Sequence, residues 1–441
     1  MRLLLLSLSF VFSLIIFQSG FLLKRKELHM RSKCSDAKLL HSECWMQRQY
    51  KKVVVMLVDA LRYDFMVPVV EHGSRSFFRG HMPGVAKLMK NGAQIGVFLA
   101  DPPTTTLQRI KALTTGTLPT FIDAGDNFAP SSNINEDNLF VQAQGRNLSL
   151  WSNQEPSQRQ VEWPKCLLLH DELRSSHPAD LIVAHLLGVD HCGHKYGPNH
   201  IQMSDTLRKI DEIISETLLI VMGDHGMTTT GDHGGDSDDE THAGLLVFSP
   251  GRQFPPLPKN LRQIDLVPSL SLLLGLPIPF SNLGVVIESM FPPNLSEQAI
   301  ALNYEQVRRF ASSYAAANPS FQITSIITHD TTVPAEQLRT IHNLQDSLRA
   351  AWTQFDQVLM RLGVFSFAET LLCTISCSSL SAAQTVVRSG CLLLQLSVIF
   401  GGSNDNPAVS LLLVRLKAAL KNSRNVILNF PWTKNYSNRR P

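Results

Sequence analysis

The chain has 441 residues, enough for one large domain with appendages or for two to three ordinary domains. Charged residues make up 17% of it, below the roughly 25% of a typical soluble protein, which predicts a large core and a membrane-associated segment. The net charge of +3 is too small and too dispersed to indicate a nucleic-acid partner.

The chain begins with an uncharged apolar run, residues 3–23, which is just long enough to cross a bilayer as a helix. A cleaved signal peptide has a shorter apolar core and small residues at its cleavage site, and no clear cleavage site follows here. We therefore expect a retained signal-anchor transmembrane helix at residues 1–23, followed by a juxtamembrane segment at 24–50.

The orientation of this anchor is predicted from conflicting signals. The basic run 24–26 follows the span, and the positive-inside rule then places the next domain in the cytosol. Against this stand three glycosylation sequons and two closely spaced cysteines, Cys34 and Cys44, which suit a small disulfide loop in an oxidising compartment. The sequons begin at Asn147, Asn294 and Asn435. We expect a lumenal domain.

Two strand-like apolar runs each lead into an acidic residue. Residues 53–58 precede Asp59, and residues 217–222 precede Asp224, with one glycine between. A buried parallel strand delivers polar residues at its carboxyl end in this way. An isolated aspartate here would cap the following turn, but two strands ending alike make Asp59 and Asp224 candidate ligands from one sheet.

The remaining elements alternate between strands and helices. We predict further strands at 95–100, 181–184 and 245–248, an amphipathic helix at 201–216 and a buried helix at 263–276. Such alternation, with polar residues at strand ends, predicts an α/β fold: a sandwich around a mostly parallel sheet.

Two further stretches and one histidine are interpreted as structural rather than functional. Residues 126–166 show little periodicity and are predicted to form a loop, and the acidic run from Asp236 to Glu240 is predicted to be a solvated loop. His185 follows the apolar core of the strand at 181–184, so we interpret it as a hydrogen-bonded histidine near the core rather than as a ligand.

Aspartates and histidines concentrate beside glycines between positions 190 and 233. The residues concerned are Asp190, His191, His194, Asp224, His225, Asp232 and His233. Aspartate and histidine supply the oxygen and nitrogen ligands of a zinc-type cation, and glycine lets the backbone turn sharply enough for them to converge. A single pair of this kind suits an ordinary hydrogen-bonded loop, but three pairs predict a metal site.

Three consecutive threonines, Thr104 to Thr106, stand where a helix is predicted to begin. Leu107, Ile110 and Leu113 then recur at helical spacing. A hydroxyl at a helix amino terminus lies where an alkoxide or a phosphate is stabilised, although a threonine there also serves as an ordinary cap. Beside a bound dication, such a threonine becomes a candidate nucleophile.

Four segments closely resemble motifs of one family. VDALRYD, DPPTTTLQRIKALTTGTLPTFIDAG, GVDHCGHKYGP and GDHGMTTTGDHGGDS, in this order, resemble the GPI ethanolamine phosphate transferases of the alkaline phosphatase superfamily. The resemblance covers about residues 1–290 and is closest to the branch that acts on the third mannose. It implies an alkaline-phosphatase-like α/β/α sandwich at 51–290 that binds two divalent metal ions, zinc or manganese.

The resemblance also implies roles for individual residues. One metal would be held by Asp190, His194 and His233. The other would be held by Asp59, Asp224, His225 and the nucleophilic threonine. Related phosphodiesterases use the second threonine of a Pro-Thr-x-Thr frame, which selects Thr106 when laid on Pro103. Thr104 and Thr105 remain alternatives.

The family reaction would then be a double displacement. Thr106 would attack phosphatidylethanolamine, and a mannose hydroxyl of a GPI-anchor precursor would take the phosphoethanolamine from the threonine. The implied setting is the endoplasmic reticulum membrane with a lumenal catalytic domain and a small membrane-embedded stabilising subunit.

The chain departs from the family at several places. Residues 145–170 contain no GDDTW-like motif, and the helix before residue 217 is short by about two turns. The family continues into many transmembrane helices, whereas the C-terminal region 291–441 offers at most one weak span near 362–400. Two alternatives therefore accompany the transferase hypothesis: a metal-dependent phosphodiesterase that uses water, and a catalytically inactive truncated family member.

Overall fold

The computed structural model describes eleven ranges of the chain, and nothing is said of the structure of the other positions. The ranges are 2–21, 27–37, 44–68, 77–118, 134–152, 172, 175–177, 179–211, 218–318, 331–352 and 357–375. The chain divides into two units, Lys24–Thr353 and a second unit formed from Met1–Leu23 and Gln354–Pro441, and each is considered by itself.

The first of these units, Lys24–Thr353, contains a central sheet. Its strands, within the described residues, are β1 Val53–Val58, β2 Gln94–Leu99, β3 Leu150–Ser152, β4 Leu181–Leu186, β5 Leu218–Gly223 and β6 His242–Phe248. They follow the order β2-β6-β5-β1-β4-β3. Strand β6 runs antiparallel to both neighbours, and the other pairings are parallel. The predicted mostly parallel sheet is confirmed.

The central strands are apolar on both faces because both faces are covered. All six residues of β1 are buried, as are those of β5. Alternate residues of β1 enter different cores: Val53, Val55 and Leu57 face one, while Val54 and Met56 face the other. Near-continuous apolar strands are what a parallel sheet between two helical layers requires.

Helices cover both faces of the sheet. In the part of this unit that the structure describes, they are α2 Tyr63–Met66, α3 Pro83–Lys90, α4 Thr106–Thr115, α5 Leu139–Gly145, α6 Gly188–Tyr196, α7 Ile201–Asp211, α8 Asp238–Thr241, α9 Leu266–Leu273, α10 Pro293–Ala317 and α11 Pro334–Trp352. Single 3₁₀ turns occur at Cys34–Asp36, Gln263–Asp265 and Glu288–Met290. Helices α4 and α9 pack in the core of Val53, whereas α3, α6 and α7 pack in the core of Val54. The α/β/α sandwich is confirmed.

A third core lies under α10 and α11. Phe280, Phe310 and Leu344 are buried there together with neighbouring aliphatic side chains. A buried amide ties α10 to the segment before it: Gln306 donates to the carbonyls of Phe280 and Asn282 at 2.9 Å. Such fully bonded amides specify one packing of the helices, because an unpaired buried amide is costly.

Two sequence-based expectations were wrong in part. The predicted loop at 126–166 contains α5, where the Asn138 side chain accepts from two backbone amides of the first turn, and β3; residues 126–133 and 153–166 lie outside the described residues. The acidic run is not simply a solvated loop either. It forms α8 through a capping box between Ser237 and Glu240, and this buries Glu240.

Within the described residues, the other unit contains two helices, α1 Arg2–Phe21 and α12 Gln357–Ile375, which pack antiparallel. The hydroxyls of Ser9 and Thr370 lie 2.8 Å apart, and Ser13 donates to Ser366 at 2.8 Å. Among the residues the structure describes, no helix combines the length and apolarity needed to cross a membrane. The anchor at 1–23 stays a prediction, as does the weak span near 362–400, of which 376–400 lie outside the described residues.

The segment after the anchor contains the expected disulfide between Cys34 and Cys44. Two of the three sequon asparagines, Asn147 and Asn294, are exposed, whereas Asn435 lies outside the described residues. The disulfide loop is therefore confirmed, and the lumenal orientation and the domain boundaries stay predictions.

Candidate metal centre

The register of β1 against β5 brings two carboxylates together. Val58 pairs with Gly223, so Asp59 and Asp224 follow side by side at the carboxyl edge of the sheet. The amides of Ala60 and His225 donate to Asp224 Oδ1 at 3.0 and 2.9 Å and fix its orientation. This juxtaposition is the one that the two strand-end patterns predicted.

His225 completes a first group, which we call the buried group: Asp59, Asp224 and His225. Its Nε2 lies 3.3 Å from Asp59 Oδ1 and 3.4 Å from Asp224 Oδ2. At most 2% of any of these side chains is exposed. The three ligand atoms lie within 4.8 Å of one another, close enough to share one cation.

A second group, which we call the rim group, consists of Asp190, His194 and His233. Helix α6 places Asp190 and His194 one turn apart, and His233 arrives from the loop after β5. Both histidine Nε2 atoms lie 3.3 Å from Asp190 Oδ1 and 3.1 Å from each other. Between 14% and 45% of each side chain is exposed.

The two groups are neighbours. The rings of His225 and His233 stack with their centroids 4.0 Å apart, one ring from each group. The structure brings together all six aspartates and histidines that the family resemblance divided between two metals. Of the other residues in the same stretch, Asp232 accepts instead from Thr230 at 2.8 Å, and neither Asp232 nor His191 enters a group among the described residues.

Backbone carbonyls fix the tautomers of two of these histidines. His225 Nδ1 donates to the carbonyl of Gly226 at 2.8 Å, and His233 Nδ1 donates to that of Thr104 at 2.9 Å. A carbonyl only accepts, so the proton is on Nδ1 and the Nε2 lone pair of the neutral ring faces the group. Metal-binding histidines are commonly oriented in this way.

Crowding of like charges governs protonation in the buried group. Burial and the charge of Asp59 raise the pKa of Asp224. Burial alone would raise the pKa of Asp59, but the hydrogen bond from His185 and the nearby imidazole of His225 hold it well below its usual range. Burial disfavours the charged form of His225, yet Asp224 and Asp59 raise its pKa to about 9. Without a cation, protons balance these carboxylates.

Three carboxylate oxygens show that the residues fit cations. Asp59 Oδ1, Asp224 Oδ2 and Asp190 Oδ1 are buried and have no hydrogen-bond partner. Nearly all buried polar atoms have a partner, and these three are the oxygens that face the histidine Nε2 atoms. Oxygen and imidazole donors without sulfur suit zinc and also manganese.

The hydroxyls of the three consecutive threonines have different contacts. Thr106 begins α4, and its Oγ1 lies 3.3 Å from Asp59 Oδ2 and 3.4 Å from His225 Nε2. Thr104 instead donates to the carbonyl of Gly235 at 2.8 Å, and the Thr105 hydroxyl donates to Gln108. Of the three, Thr106 is the one that faces the buried group.

An ion-pair cluster, which the sequence did not reveal, holds the loop before α4. Asp101 is buried and accepts from Arg262 at 3.1 Å and from Arg349 at 2.6 Å. Arg349 belongs to α11, 248 residues further along the chain. We call this cluster the Asp101 clamp. It fixes the start of the segment that presents Thr106.

The loop that carries His233 is fixed by close backbone approaches. Gly231 has φ +87°, and a Cβ there would overlap the carbonyl of Gly193 in α6. Glu240 accepts from the amide of Gly235 at 2.7 Å. Glycine and a buried carboxylate thus bring this loop against α6, where the other two residues of the rim group lie.

His185 is hydrogen-bonded, as the sequence suggested, but its partner was not foreseen. Its Nε2 donates to Asp59 Oδ2 at 3.1 Å, which places it directly behind a candidate ligand. Strand alternation contained the signal, because His185 pairs with Leu57 and so lies on the same face as Asp59.

A mostly parallel sheet between helical layers, with two adjacent carboxylate–imidazole groups at its edge, defines an alkaline-phosphatase-like domain. A family model for type I phosphodiesterase / nucleotide pyrophosphatase matches residues 122–243. The structure of murine ectonucleotide pyrophosphatase / phosphodiesterase 5 aligns with a TM-score of 0.39 and 14% identity, covering 52% of this chain and 96% of that one.

Curated relatives show which family the chain resembles. The catalytic subunit of GPI ethanolamine phosphate transferase 3 from Homo sapiens is 39% identical over 368 residues, covering 70% of this chain and 34% of the relative. GPI ethanolamine phosphate transferase 3 from Schizosaccharomyces pombe is 34% identical over 404 residues, covering 79% and 43%. The predicted resemblance is confirmed: the chain is related to the GPI ethanolamine phosphate transferases over most of its length, and its match spans less than half of these two relatives.

Proposed function

We propose that this chain transfers phosphoethanolamine from phosphatidylethanolamine to a mannose, the third, of a GPI-anchor precursor. The observation that carries the proposal is the hydroxyl of Thr106, at the amino terminus of a helix and within 3.4 Å of the buried group. The names of the relatives supply the substrate class.

We assign the metal ligands as the resemblance implied them. Asp190, His194 and His233 hold one divalent ion; the buried group and Thr106 hold the other. Zinc fits this donor set, and manganese remains compatible. When bound, the two ions supply charge that stabilises the threonine alkoxide and the transferring phosphoryl group.

The chain's own residues account for the rest of the reaction. The oxygen of Thr106 forms a bond to the phosphorus of the lipid, and the bond from phosphorus to the diacylglycerol oxygen breaks. Asp59 Oδ2, 3.3 Å from Thr106 Oγ1, accepts a hydrogen bond from the hydroxyl and orients it. The hydroxyl proton ends on the departing diacylglycerol oxygen. A mannose hydroxyl then attacks the phosphorus, and Thr106 regains a proton as it leaves.

Helix α4 contributes through its position. The first amides of a helix have no acceptor within it, and its dipole favours negative charge at this end. Because Thr106 is the first residue of α4, the phosphoryl oxygens of a bound substrate meet these amides.

The proposed setting is the endoplasmic reticulum membrane, with the catalytic domain on the lumenal side. The Cys34–Cys44 disulfide supports an oxidising compartment, and a lipid donor supports membrane association. A small membrane-embedded stabilising subunit is part of the proposal on the family resemblance alone.

A phosphodiesterase that uses water is the second candidate. The match to a type I phosphodiesterase / nucleotide pyrophosphatase model favours it, because the same ligands and nucleophile serve hydrolysis. The third candidate, an inactive family member, is opposed by the completeness of both ligand groups.

Product analysis tests the proposal. The full chain, purified in detergent with zinc, is given headgroup-labelled phosphatidylethanolamine with and without a mannosylated GPI precursor. We expect label on the glycolipid; label released only as free phosphoethanolamine would instead establish hydrolysis. No turnover by a chain loaded with two ions would establish the inactive alternative.

Substitution of the threonines tests the nucleophile. Thr106→Ala should lower turnover on the order of 10⁴-fold or more and abolish the acid-stable label on the protein, because the covalent intermediate needs this hydroxyl. Thr105→Ala is the matched control, since its hydroxyl faces Gln108, and should retain the labelled intermediate. If Thr106→Ala still formed it, the assignment would be wrong.

A further inference from the structure

His185 occupies a strand position that is otherwise apolar. On β4, Leu181 and Val183 face the same core as Leu57 of β1, and His185 is next in this alternation. Its side chain is 8% exposed. A buried polar ring costs free energy unless it is hydrogen-bonded, so the contact it makes explains its presence.

This contact gives the two carboxylate oxygens of Asp59 different surroundings. Oδ2 accepts from His185 Nε2 at 3.1 Å and from the Thr106 hydroxyl at 3.3 Å. Oδ1 has no hydrogen-bond partner and faces His225 Nε2 at 3.3 Å. One oxygen is thus occupied by donors, and the other is left to the buried group.

We propose that His185 is a positioning residue that holds the Asp59 carboxylate in this orientation, with Oδ2 hydrogen-bonded and Oδ1 facing His225. This inference rests on the proposed function, since it concerns the same reaction. A carboxylate free to rotate can present either oxygen, or both, to a cation. A donor on Oδ2 restricts Asp59 to Oδ1 and keeps Oδ2 beside the Thr106 proton.

The side chain of histidine suits this role. Its Nε2–H supplies one directional donor from a rigid ring. The fixed charge of lysine or arginine in its place would repel a cation bound beside it. In the described residues, the ligand set that lies within 4.8 Å comprises Asp59, Asp224 and His225, so His185 acts through Asp59.

The role predicts a selective loss of metal affinity. His185→Leu removes the donor while filling a similar volume, and should weaken one of the two zinc sites by about 10–100-fold, as for other residues that orient ligands. The rim site should keep its affinity. His185→Gln places an amide donor where Nε2 lies and should restore most of the loss.

The experiment titrates the full chain in detergent with zinc against a chromophoric chelator that resolves two sites. Val183→Ala is the matched control: it perturbs the same face of β4 and leaves the Asp59 contact intact. It should lower the unfolding midpoint without a selective loss of zinc. Turnover of His185→Leu should fall in kcat with little change in KM, because Thr106 loses its orientation.

Each outcome decides the matter. A selective loss in His185→Leu that His185→Gln restores supports positioning. Unchanged zinc affinity in His185→Leu overturns it, and so does equal weakening of both sites in His185→Leu and Val183→Ala, since that shows only lost packing. A wild-type chain that binds no zinc at the buried group contradicts the proposed function itself, and this inference with it.

Discussion

The buried and rim groups use the same two kinds of side chain but are built differently. Two residues of the buried group, Asp59 and Asp224, follow the ends of adjacent strands, and water scarcely reaches them. The rim group joins one helix to one loop and is partly open to water. Two sites that look alike in sequence thus have different environments.

This difference assigns different properties to the groups. A buried carboxylate without compensation costs several kcal/mol, and the buried group holds two within reach of one imidazole. Removing its cation therefore requires protons to enter, whereas water can replace a cation at the rim. We expect a retained ion in the buried group and an exchangeable ion at the rim.

The largest expected effect comes from deleting one ligand of each group. Asp224→Ala should reduce bound zinc from two equivalents to one and turnover on the order of 10³–10⁴-fold, because the lost ion is the one beside Thr106. Asp190→Ala should also lose one equivalent, with a smaller loss of turnover on the order of 10²-fold.

Metal analysis and turnover of purified variants check this order. Asp232→Ala is the control, since Asp232 lies in the same loops but in neither group. Equal losses of turnover in Asp224→Ala and Asp190→Ala would contradict the prediction that the buried group contributes more to turnover than the rim group.

Removal by a chelator sharpens the comparison. The rim ion should leave first, and the buried ion should leave at least about tenfold more slowly, equivalent to ~1.4 kcal/mol. Stopped-flow mixing with a colorimetric chelator should show two phases, and Asp190→Ala should lack the fast one. A single phase in the wild type would mean that burial does not govern release.

Metal-free protein should respond to pH mainly through the buried group. The pKa of His225 is raised to about 9, so its protonation stabilises the fold fully below its unfolded pKa of ~6.5, and this stability is lost as pH rises through 9. Asp59, whose pKa is lowered, contributes unchanged stability over this range.

Calorimetry of the chelated chain should therefore show a melting temperature that falls between pH 7 and pH 10, by about 2–4 °C for each kcal/mol lost. Zinc-loaded protein should show a smaller fall, because the ion takes the place of the proton. His225→Gln is the control and should remove most of the difference in pH dependence between metal-free and zinc-loaded protein. If the melting temperature of this variant still fell with pH, groups other than His225 would cause the fall.

The smallest expected effect concerns the rim loop. Glu240→Ala removes the acceptor of the Gly235 amide and the cap of α8, worth about 1 kcal/mol, and should weaken the rim ion severalfold through His233. The buried ion should be unaffected. Asp238→Ala, at an exposed position of the same helix, is the control; the chelator assay reports both.

Strand-end patterns predicted the buried group because period-two alternation and parallel pairing act locally. The different contacts of the three threonines needed the structure, since all three have the same side chain and only the start of α4 separates them. Helix α5 and strand β3 are too short for periodicity, and Asn138, which caps α5, lies in a polar stretch like any loop.

Long-range contacts escaped the sequence for a different reason. The bond from His185 to Asp59 and the ion pair from Arg349 to Asp101 join residues separated by 126 and 248 positions. Local sequence patterns do not predict contacts between residues so far apart in the chain. His185 was nevertheless accessible in part, because the alternation along β4 places it on the face that carries Asp59.

The Asp101 clamp has a consequence for how the protein is made. Arg349 lies 248 residues after Asp101, so at about 5–20 residues per second it is synthesised roughly 12–50 s later. Once residue 233 has been added, the nascent chain holds every residue of both groups and Thr106, but not the helix that completes the clamp. The Asp101 clamp therefore forms only after α11 has emerged from the ribosome, and chains interrupted earlier carry both groups without this support.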